Sequence, residues 1–343
     1  MLKKTFSFSA SKTNCYFDAS FAQIGELVEK DRSIFITDQH IYDSHRKNFK
    51  GVRFIQIPAG ETFKVQSTID QIIDQLISFG ADRKTTLIGV GGGVVTDITG
   101  YVASVFMRGV PFGFVPTSIL GMVDASIGGK NGIDVGNYKN MVGVIRQPGF
   151  LFYDVSLLNS LPAEEWVNGF AEVIKHAAIK DATLFRELEN KSINHYRKDK
   201  KALTELIRKN VLIKSAIVQK DEFEGNERRL LNFGHTLGHA VENVYHLPHG
   251  HAISIGIKGA CLISEQVTNF KETARVTSLL QQYGLPIDIP VDFGKVIEIM
   301  RMDKKKLRDT MHYVVLEKLG KAIIKPIPMA QLEKLLYSIA RAR

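Results

Sequence analysis

The periodicity of the apolar residues changes once along this chain, near residue 158, and that change limits the folds open to it. Before it, short apolar runs alternate with helical patterns. SIFITD (33–38), RFIQIP (53–58), TTLIGVGGG (85–93) and VPFGFVPTS (110–118) read as buried strands. QSTIDQIIDQLISFG (66–80) places Ile69, Ile72, Ile73, Leu76 and Ile77 at helical spacing and stops at Gly80. Strands alternating with helices specify a largely parallel sheet. After the change, residues 161–181, 201–220 and 235–245 all carry helical periodicity. Strand signals vanish until MHYVVLEKLGKAIIKPI (311–327), which has the pattern of a hairpin. A chain of 343 residues is long for a single core. The expectation is an α/β domain over 1–158 and a mostly α-helical domain over 159–343.

Composition excludes several classes. There is no run of 18 apolar residues, so no membrane span is expected, and the opening MLKKTFSFSASKTNCYFD lacks the apolar core of an export signal. Cys15 and Cys261 are the two cysteines, far apart and in no metal-binding spacing, which fits a reducing cytoplasm. The net charge of +9 favours anionic ligands. Its lysines are scattered, though, and no basic stripe is interleaved with aromatics, so a nucleic-acid partner is not expected.

Two glycine-rich stretches can receive an anion. GVGGGVVTDITG (89–100) follows a strand and opens a helix, so its backbone N–H groups and the helix N-terminus can cradle a pyrophosphate. Val94 stands where a G-x-G-x-x-G pattern needs its third glycine, and a plain tight turn has the same look. Asp38, at a strand end, suits a ribose hydroxyl or an ordinary turn. PTSILGMVDASIGGKNGIDVGNYKNMVG (116–143) then brings Asp124, Lys130, Lys139 and Asn140 onto glycine-rich loops, with Arg108 just upstream as a further anion clamp.

Half of the ten histidines lie in FGHTLGHAVENVYHLPHGHAISIG (233–256). His235 and His239 are four apart and share one helix face, enough for two ligands of a Zn2+ ion. His249 or His251 can supply a third, and so can another helix, where Glu172, Lys175 and His176 share a face opposite Phe170, Val173, Ile174 and Ala177. H-E-x-x-H is absent. Lys214 falls on the apolar stripe of the 201–220 helix, so its ammonium needs an anion, either Glu224 or a substrate carboxylate. Arg228 and Asn232 stand just before His235, and arginine suits bidentate recognition of carboxylate or phosphate.

Taken together, GGGVVTDITGYVASVFMRGVPFGFVPTSILGMVDASIGGKNGIDVGNYKNMVG, AEVIKHAAIKD, LLNFGHTLGHAVE, HGHAISIG and DKKKLRDTMHYVVLEKLGKA resemble the 3-dehydroquinate synthase family of sugar-phosphate cyclases over nearly the whole chain. The resemblance implies a Rossmann-like N-terminal domain, a helical metal-binding C-terminal domain, NAD, a divalent metal (zinc or cobalt), a sugar-phosphate substrate and a cytoplasmic homodimer. It implies Glu172, His235 and His249 as metal ligands. It implies Lys130, Asn140, Lys175, His239 and Arg108 at the catalytic centre, His239 in proton transfer and Arg108 reaching a neighbouring subunit's phosphate pocket. Asp124, Lys139, Lys214, Arg228, Asn232 and one of Lys304 and Lys305 would bind substrate. Asp38, Glu61, Lys64, Gly92, Gly93, Val94, Asp97, Thr117 and Ser118 would hold NAD, with Lys130 and Lys139 reaching it too. The chain departs from the family pattern at His40 (usually asparagine), Ser118 (a second threonine) and His251 (the glutamate of H-G-E). Sister cyclases acting on sedoheptulose 7-phosphate or glucose 6-phosphate, and metal-dependent polyol dehydrogenases, are the alternatives of the same fold.

Overall fold

The structure is a computed structural model that describes residues 1–136, 138–289, 292–302 and 310–341. From the N-terminus run β1 (Leu2–Ser7), β2 (Lys12–Phe17), β3 (Ser33–Asp38), α1 (Gln39–His45), β4 (Arg53–Ile57), α2 (Gln66–Ser78), β5 (Thr86–Gly91) and α3 (Gly93–Val105). There follow β6 (Phe112–Pro116), β7 (Lys130–Val135), β8 (Tyr138–Ile145), β9 (Phe150–Phe152), α4 (Ala163–Lys180), α5 (Ala182–Glu189), α6 (Ile193–Lys198) and α7 (Lys200–Lys220). The chain continues through α8 (His235–Tyr245), α9 (His249–Thr268), α10 (Thr273–Gln282), α11 (Phe293–Met302), β10 (Thr310–Lys318), β11 (Lys321–Pro328) and α12 (Met329–Arg341).

Seven strands form one sheet in the order β1-β2-β9-β6-β5-β3-β4, with every neighbouring pair parallel except β1 with β2. The expected parallel sheet is therefore present. Ile34, Phe35 and Ile36 of β3 and Leu87 and Ile88 of β5 are fully buried, as a central strand covered on both faces requires. Because β4 and β5 pair with opposite edges of β3, the winding reverses there, and ligands of such sheets bind at the carboxyl ends beside that reversal. Asp38 ends β3, and Gly91 ends β5 just before α3. The predicted hairpin at 311–327 is β10 and β11 in antiparallel register. No helix among the described residues is long and apolar enough to cross a membrane.

Contacts group the chain into two units, residues 1–165 with 199–223, and residues 166–198 with 224–343. Helix α7, which periodicity assigned to the helical part, thus belongs to the first unit. There it packs on β1 and on the π-helical turn Gly121–Ala125. The tie is tertiary, and nothing in the helix's own sequence announces it.

Both cysteines are fully buried; burial pushes the Cys15 thiol up to about 12, and burial with the nearby Glu265 charge raises Cys261 as well. The thiolate is the reactive form. The native protein is expected to give no reaction with a thiol reagent at neutral pH, and two thiols after unfolding. Rapid labelling of either one in the native state would contradict the packing described for β2 or α9.

Candidate functional site

In the second unit, α4 carries Glu172. Two glutamates in its first turn favour the helix start, and Asp181, by capping α5, marks its end. The sequence suggested one polar and one apolar face for α4. In the structure both are inside: Glu172, Lys175 and His176 are as buried as Phe170, Val173 and Ile174. A buried carboxylate needs compensation, and Lys175, one turn on, pairs with Glu172. The Glu172 Oε1 atom then lies 3.5 Å from His235 Nε2 and 3.3 Å from His249 Nε2. One donor atom from each of Glu172, His235 and His249 falls within 4.8 Å of the others. Two imidazoles and a carboxylate are the protein donor set of a catalytic zinc-type site, so the residues present fit a divalent cation. His251 joins no such group among the described residues.

Glycines make the convergence possible. Gly234, with φ +78°, turns the chain into α8, a conformation glycine adopts without strain. A side chain at Gly256 of α9 would strike the Gly234 carbonyl oxygen, and one at Gly238 would sit 2.9 Å from Ile253. The backbones of α8 and α9 are therefore in direct contact, which brings His235 and His239 beside His249. The ring centroids of His239 lie 5.1 Å from His235 and 6.1 Å from His249. On the α4 side, the Gly250 amide donates to Asn168 Oδ1 at 2.5 Å and pins the start of α9.

The imidazoles differ electrostatically. Burial, helped by the Lys175 ammonium, holds His235 well below the usual histidine range, so it is neutral. Its Nδ1 faces the Phe233 carbonyl at 3.1 Å, a contact that puts the proton on Nδ1 and the lone pair on Nε2, facing Glu172. His239 presents an edge to solvent but is also pushed down, by the protein around it and then by His249. Burial disfavours the His249 imidazolium too, yet hydrogen bonds to Glu172 and Glu242 outweigh it and raise its pKa to about 9. Glu242 was not anticipated from the sequence. The available signal was a glutamate one turn after His239 among the buried positions Leu237, Ala240 and Val241.

Arg228 and Asn232 lie in the 3-10 segment Glu227–Asn232. Arg228 is buried, and Asn232 Nδ2 donates to Glu224 Oε1 at 2.9 Å. Lys304 and Lys305 lie outside the described residues.

In the first unit the glycine turn is the N-terminus of α3. Gly92 caps the helix and Gly93 begins it, with Val94 next. A Cβ on Gly92 would point at Ser118 Oγ from 3.5 Å, and one on Gly93 at the Ala125 methyl from 3.3 Å. Side chains there would fill the space over the amides, so the turn fits a pyrophosphate held by backbone N–H groups. Thr117 is buried after β6 and donates its N–H to the Gly91 carbonyl, placing Thr117 and Ser118 beside the turn. Asp38 caps α1 by accepting from the Ile41 amide at 2.9 Å, and burial raises its pKa. Lys64, almost fully buried, joins Asp97 and Asn140 at 2.6 Å each, with Glu61 at 3.9 Å. Burial works against the Lys64 charge, but Asp97 and Glu61 sustain it, while burial lifts Asp97 to about 6. Asn140 is held at φ +52° by its own N–H donating to Asp134.

Lys214 meets an anion that the sequence did not suggest. Lys214 Nζ bonds the Asp124 carboxylate at 2.7 Å and the Asp124 carbonyl at 2.8 Å. Within the stretch 116–143, read as glycine loops, Lys130–Val135 and the chain from Tyr138 onward form the antiparallel β7–β8 hairpin. It keeps Lys130 and Lys139 exposed at opposite ends rather than together. Arg108 is exposed, and Met107, Arg108 and Gly109 all have positive φ, a strained backbone that turns it outward.

The N-terminal family model of 3-dehydroquinate synthase matches residues 54–168, and the C-terminal one matches 169–306. The 3-dehydroquinate synthase of Pyrococcus abyssi is 40% identical over 288 residues, covering 83% of this chain and 85% of that protein. That of Thermoanaerobacter pseudethanolicus is 35% identical over 336 residues, covering 92% and 94%. Among solved structures, ValA (2-epi-5-epi-valiolone synthase) from Streptomyces hygroscopicus subsp. jinggangensis 5008, with NAD+ and Zn2+ bound, superposes with a TM-score of 0.85 at 25% identity over the full length of both chains. A 2-deoxy-scyllo-inosose synthase with carbaglucose-6-phosphate, NAD+ and Co2+ gives 0.86 at 24% identity over 98% and 99%, which supports the fold alone. With both halves matched in order and relatives this similar along most of its length, the chain belongs to the 3-dehydroquinate synthase family.

Proposed function

We propose that the chain is a 3-dehydroquinate synthase, converting 3-deoxy-D-arabino-heptulosonate 7-phosphate to 3-dehydroquinate and inorganic phosphate in the second step of the shikimate pathway. The observation that carries the reading is the convergence of Glu172, His235 and His249 in a chain of this family. Bound NAD+ would supply a reversible hydride acceptor for a ring carbinol, and a zinc or cobalt ion held by Glu172, His235 and His249 would supply a Lewis acid for that carbinol's oxygen, so the oxidation would be transient with no net redox change. The overall conversion expels phosphate from the substrate and closes the carbocycle by an intramolecular aldol step.

The residues of this chain bind, orient and shuttle protons. The first unit is the nucleotide-binding part: Gly92, Gly93 and Val94, with Thr117 and Ser118, hold the pyrophosphate. Asp38, Glu61, Lys64, Asp97, Lys130 and Lys139 hold the rest of the dinucleotide. The second unit holds the ion through Glu172, His235 and His249. Arg228, Lys214 and Asn232 grip the substrate carboxylate, and Asp124 and Lys139 help position the substrate. Lys175 and His239 hold or move the hydroxyl proton. Lys130, Asn140 and Arg108 orient the leaving phosphate, which can itself accept the proton that elimination releases. Most of the rate then comes from positioning and fixed charge. Lys305 keeps its assignment to substrate from the sequence alone. A cytoplasmic homodimer completes the reading.

Protein supplied with NAD+ and Zn2+ or Co2+ is expected to release phosphate from the heptulosonate in step with dehydroquinate, without accumulating NADH. Turnover of sedoheptulose 7-phosphate or glucose 6-phosphate in its place would reassign the chain to a sister cyclase. Steady NADH formation from a polyol would make it a dehydrogenase.

A further inference from the structure

We propose that Glu242 is a positioning residue that aims His249 and raises its strength as a metal ligand. The inference rests on the metal reading of Glu172, His235 and His249 and adds a residue that the reading does not contain. Glu242 lies seven residues after His235 and three after His239, on the stripe of α8 that faces the cluster, and only 6% of it is exposed. A carboxylate is not carried into such a place without a reason.

Its Oε2 atom lies 3.4 Å from His249 Nδ1, and the other nitrogen of that ring lies 3.3 Å from Glu172 Oε1. His249 is the first residue of α9, after Pro248, and the Asn168 bond to Gly250 fixes the helix start. Backbone and ring are therefore held from separate directions. The Nδ1 contact at 3.4 Å is long, so its effect is electrostatic and orienting more than that of a tight hydrogen bond. Once a cation takes the place of the Nε2 proton, Glu242 would keep the remaining proton on Nδ1. His235 has the same tautomer, but its Nδ1 meets a neutral carbonyl. An anionic acceptor makes an imidazole a stronger donor to a cation than a neutral one does, and such outer partners are typically worth about 10–100-fold in metal affinity.

Glu242 has a competing role. Donor atoms of His239, Glu242 and His249 also fall within 4.8 Å of one another, so Glu242 is geometrically capable of ligating a cation directly. The two roles differ in stoichiometry and in spectrum. A positioning carboxylate leaves one Co2+ bound per chain by the Glu172, His235 and His249 set, and removing its charge changes the strength and visible spectrum of that site without deleting it.

The test compares wild type with Glu242→Gln, close in shape and uncharged, and Glu242→Asp. The metal-free chains are first matched by circular dichroism, and Co2+ binding is then followed by chelator competition and visible absorption. Expected are one Co2+ per wild-type chain, roughly 10–100-fold weaker binding with a shifted ligand-field spectrum in Glu242→Gln, and partial recovery in Glu242→Asp. A purely structural role would lower the melting temperature while leaving the spectrum of the Co2+-saturated protein unchanged, and would overturn the proposal. So would wild-type affinity in Glu242→Gln, or two Co2+ per wild-type chain. A wild type that binds no Co2+ would instead sink the metal reading, and this inference with it.

Discussion

His235→Ala is expected to leave a folded chain that no longer holds a divalent cation. Outer partners of a metal ligand cost about 10–100-fold in affinity, so loss of the ligand itself should exceed about 100-fold. Turnover should fall below detection, because an unpolarised alcohol is a poor hydride donor. The fold should survive. The substitution loses the Nδ1 contact to the Phe233 carbonyl, about 1 kcal/mol. Glu172 keeps Lys175 as its ion-pair partner, so no uncompensated carboxylate is left inside α4. Co2+ titration and phosphate release measured on the same preparation check both halves. Full activity with wild-type metal content would remove His235 from the ligand set and leave His239 to be tried in its place.

Much of the scaffold can be read from local pattern. Strands β3 and β5 are buried apolar runs, β4 keeps Ile55 and Ile57 inside, and helices α2, α4, α7 and α8 begin and end within a few residues of where periodicity puts them. Strand β1 and the β8 arm of the β7–β8 hairpin escape such reading for one reason. Nearly every side chain of β1 is exposed, and β8 is exposed along its length, so neither shows the inside–outside alternation that marks a half-buried strand. Gly132 and Gly143 are directly opposed in that hairpin, and a side chain on either would meet the other strand's backbone. There the glycines signal close strand approach, not a loop.

The site was legible where spacing expresses it and illegible where folding supplies it. His235 and His239 declare a shared face through their separation of four. The partner of Lys214 is ninety residues away, on the π-helical turn that carries Asp124, and no local rule reaches that far. His249 and His251 stand two residues apart at the start of α9, and spacing alone does not choose between them. Only His249 of the two shares a ligand group with Glu172 among the described residues. The place of His249 on α9 makes the packing of two helices a determinant of the metal site, and that can be tested without touching a ligand.

Gly256→Ala is expected to damage stability and metal binding together. The added methyl would strike the Gly234 carbonyl oxygen and approach Gly238 N to 2.7 Å and Gly234 C to 2.9 Å. All of these are backbone atoms of the first turn of α8, where Gly238 N–H already bonds the Gly234 carbonyl at 2.9 Å. No rotamer relieves the clash, so the helices must separate by roughly 1 Å to restore ordinary contact distances. Overpacking of this kind costs about 1–3 kcal/mol, and with only backbone in the way the upper end applies. For a unit of this size that is a fall in melting temperature of about 5–10 °C. His235 follows Gly234 directly, so the shift also carries a ligand away from Glu172, and Co2+ affinity should drop at least as far as in Glu242→Gln. Gly259→Ala is the control on the same helix. Its methyl meets Leu237 Cδ2, the end of a side chain that can rotate away, so little of either property should be lost. If Gly256→Ala melts early yet binds Co2+ like the wild type, the spacing of α8 and α9 supports the fold without setting the metal geometry.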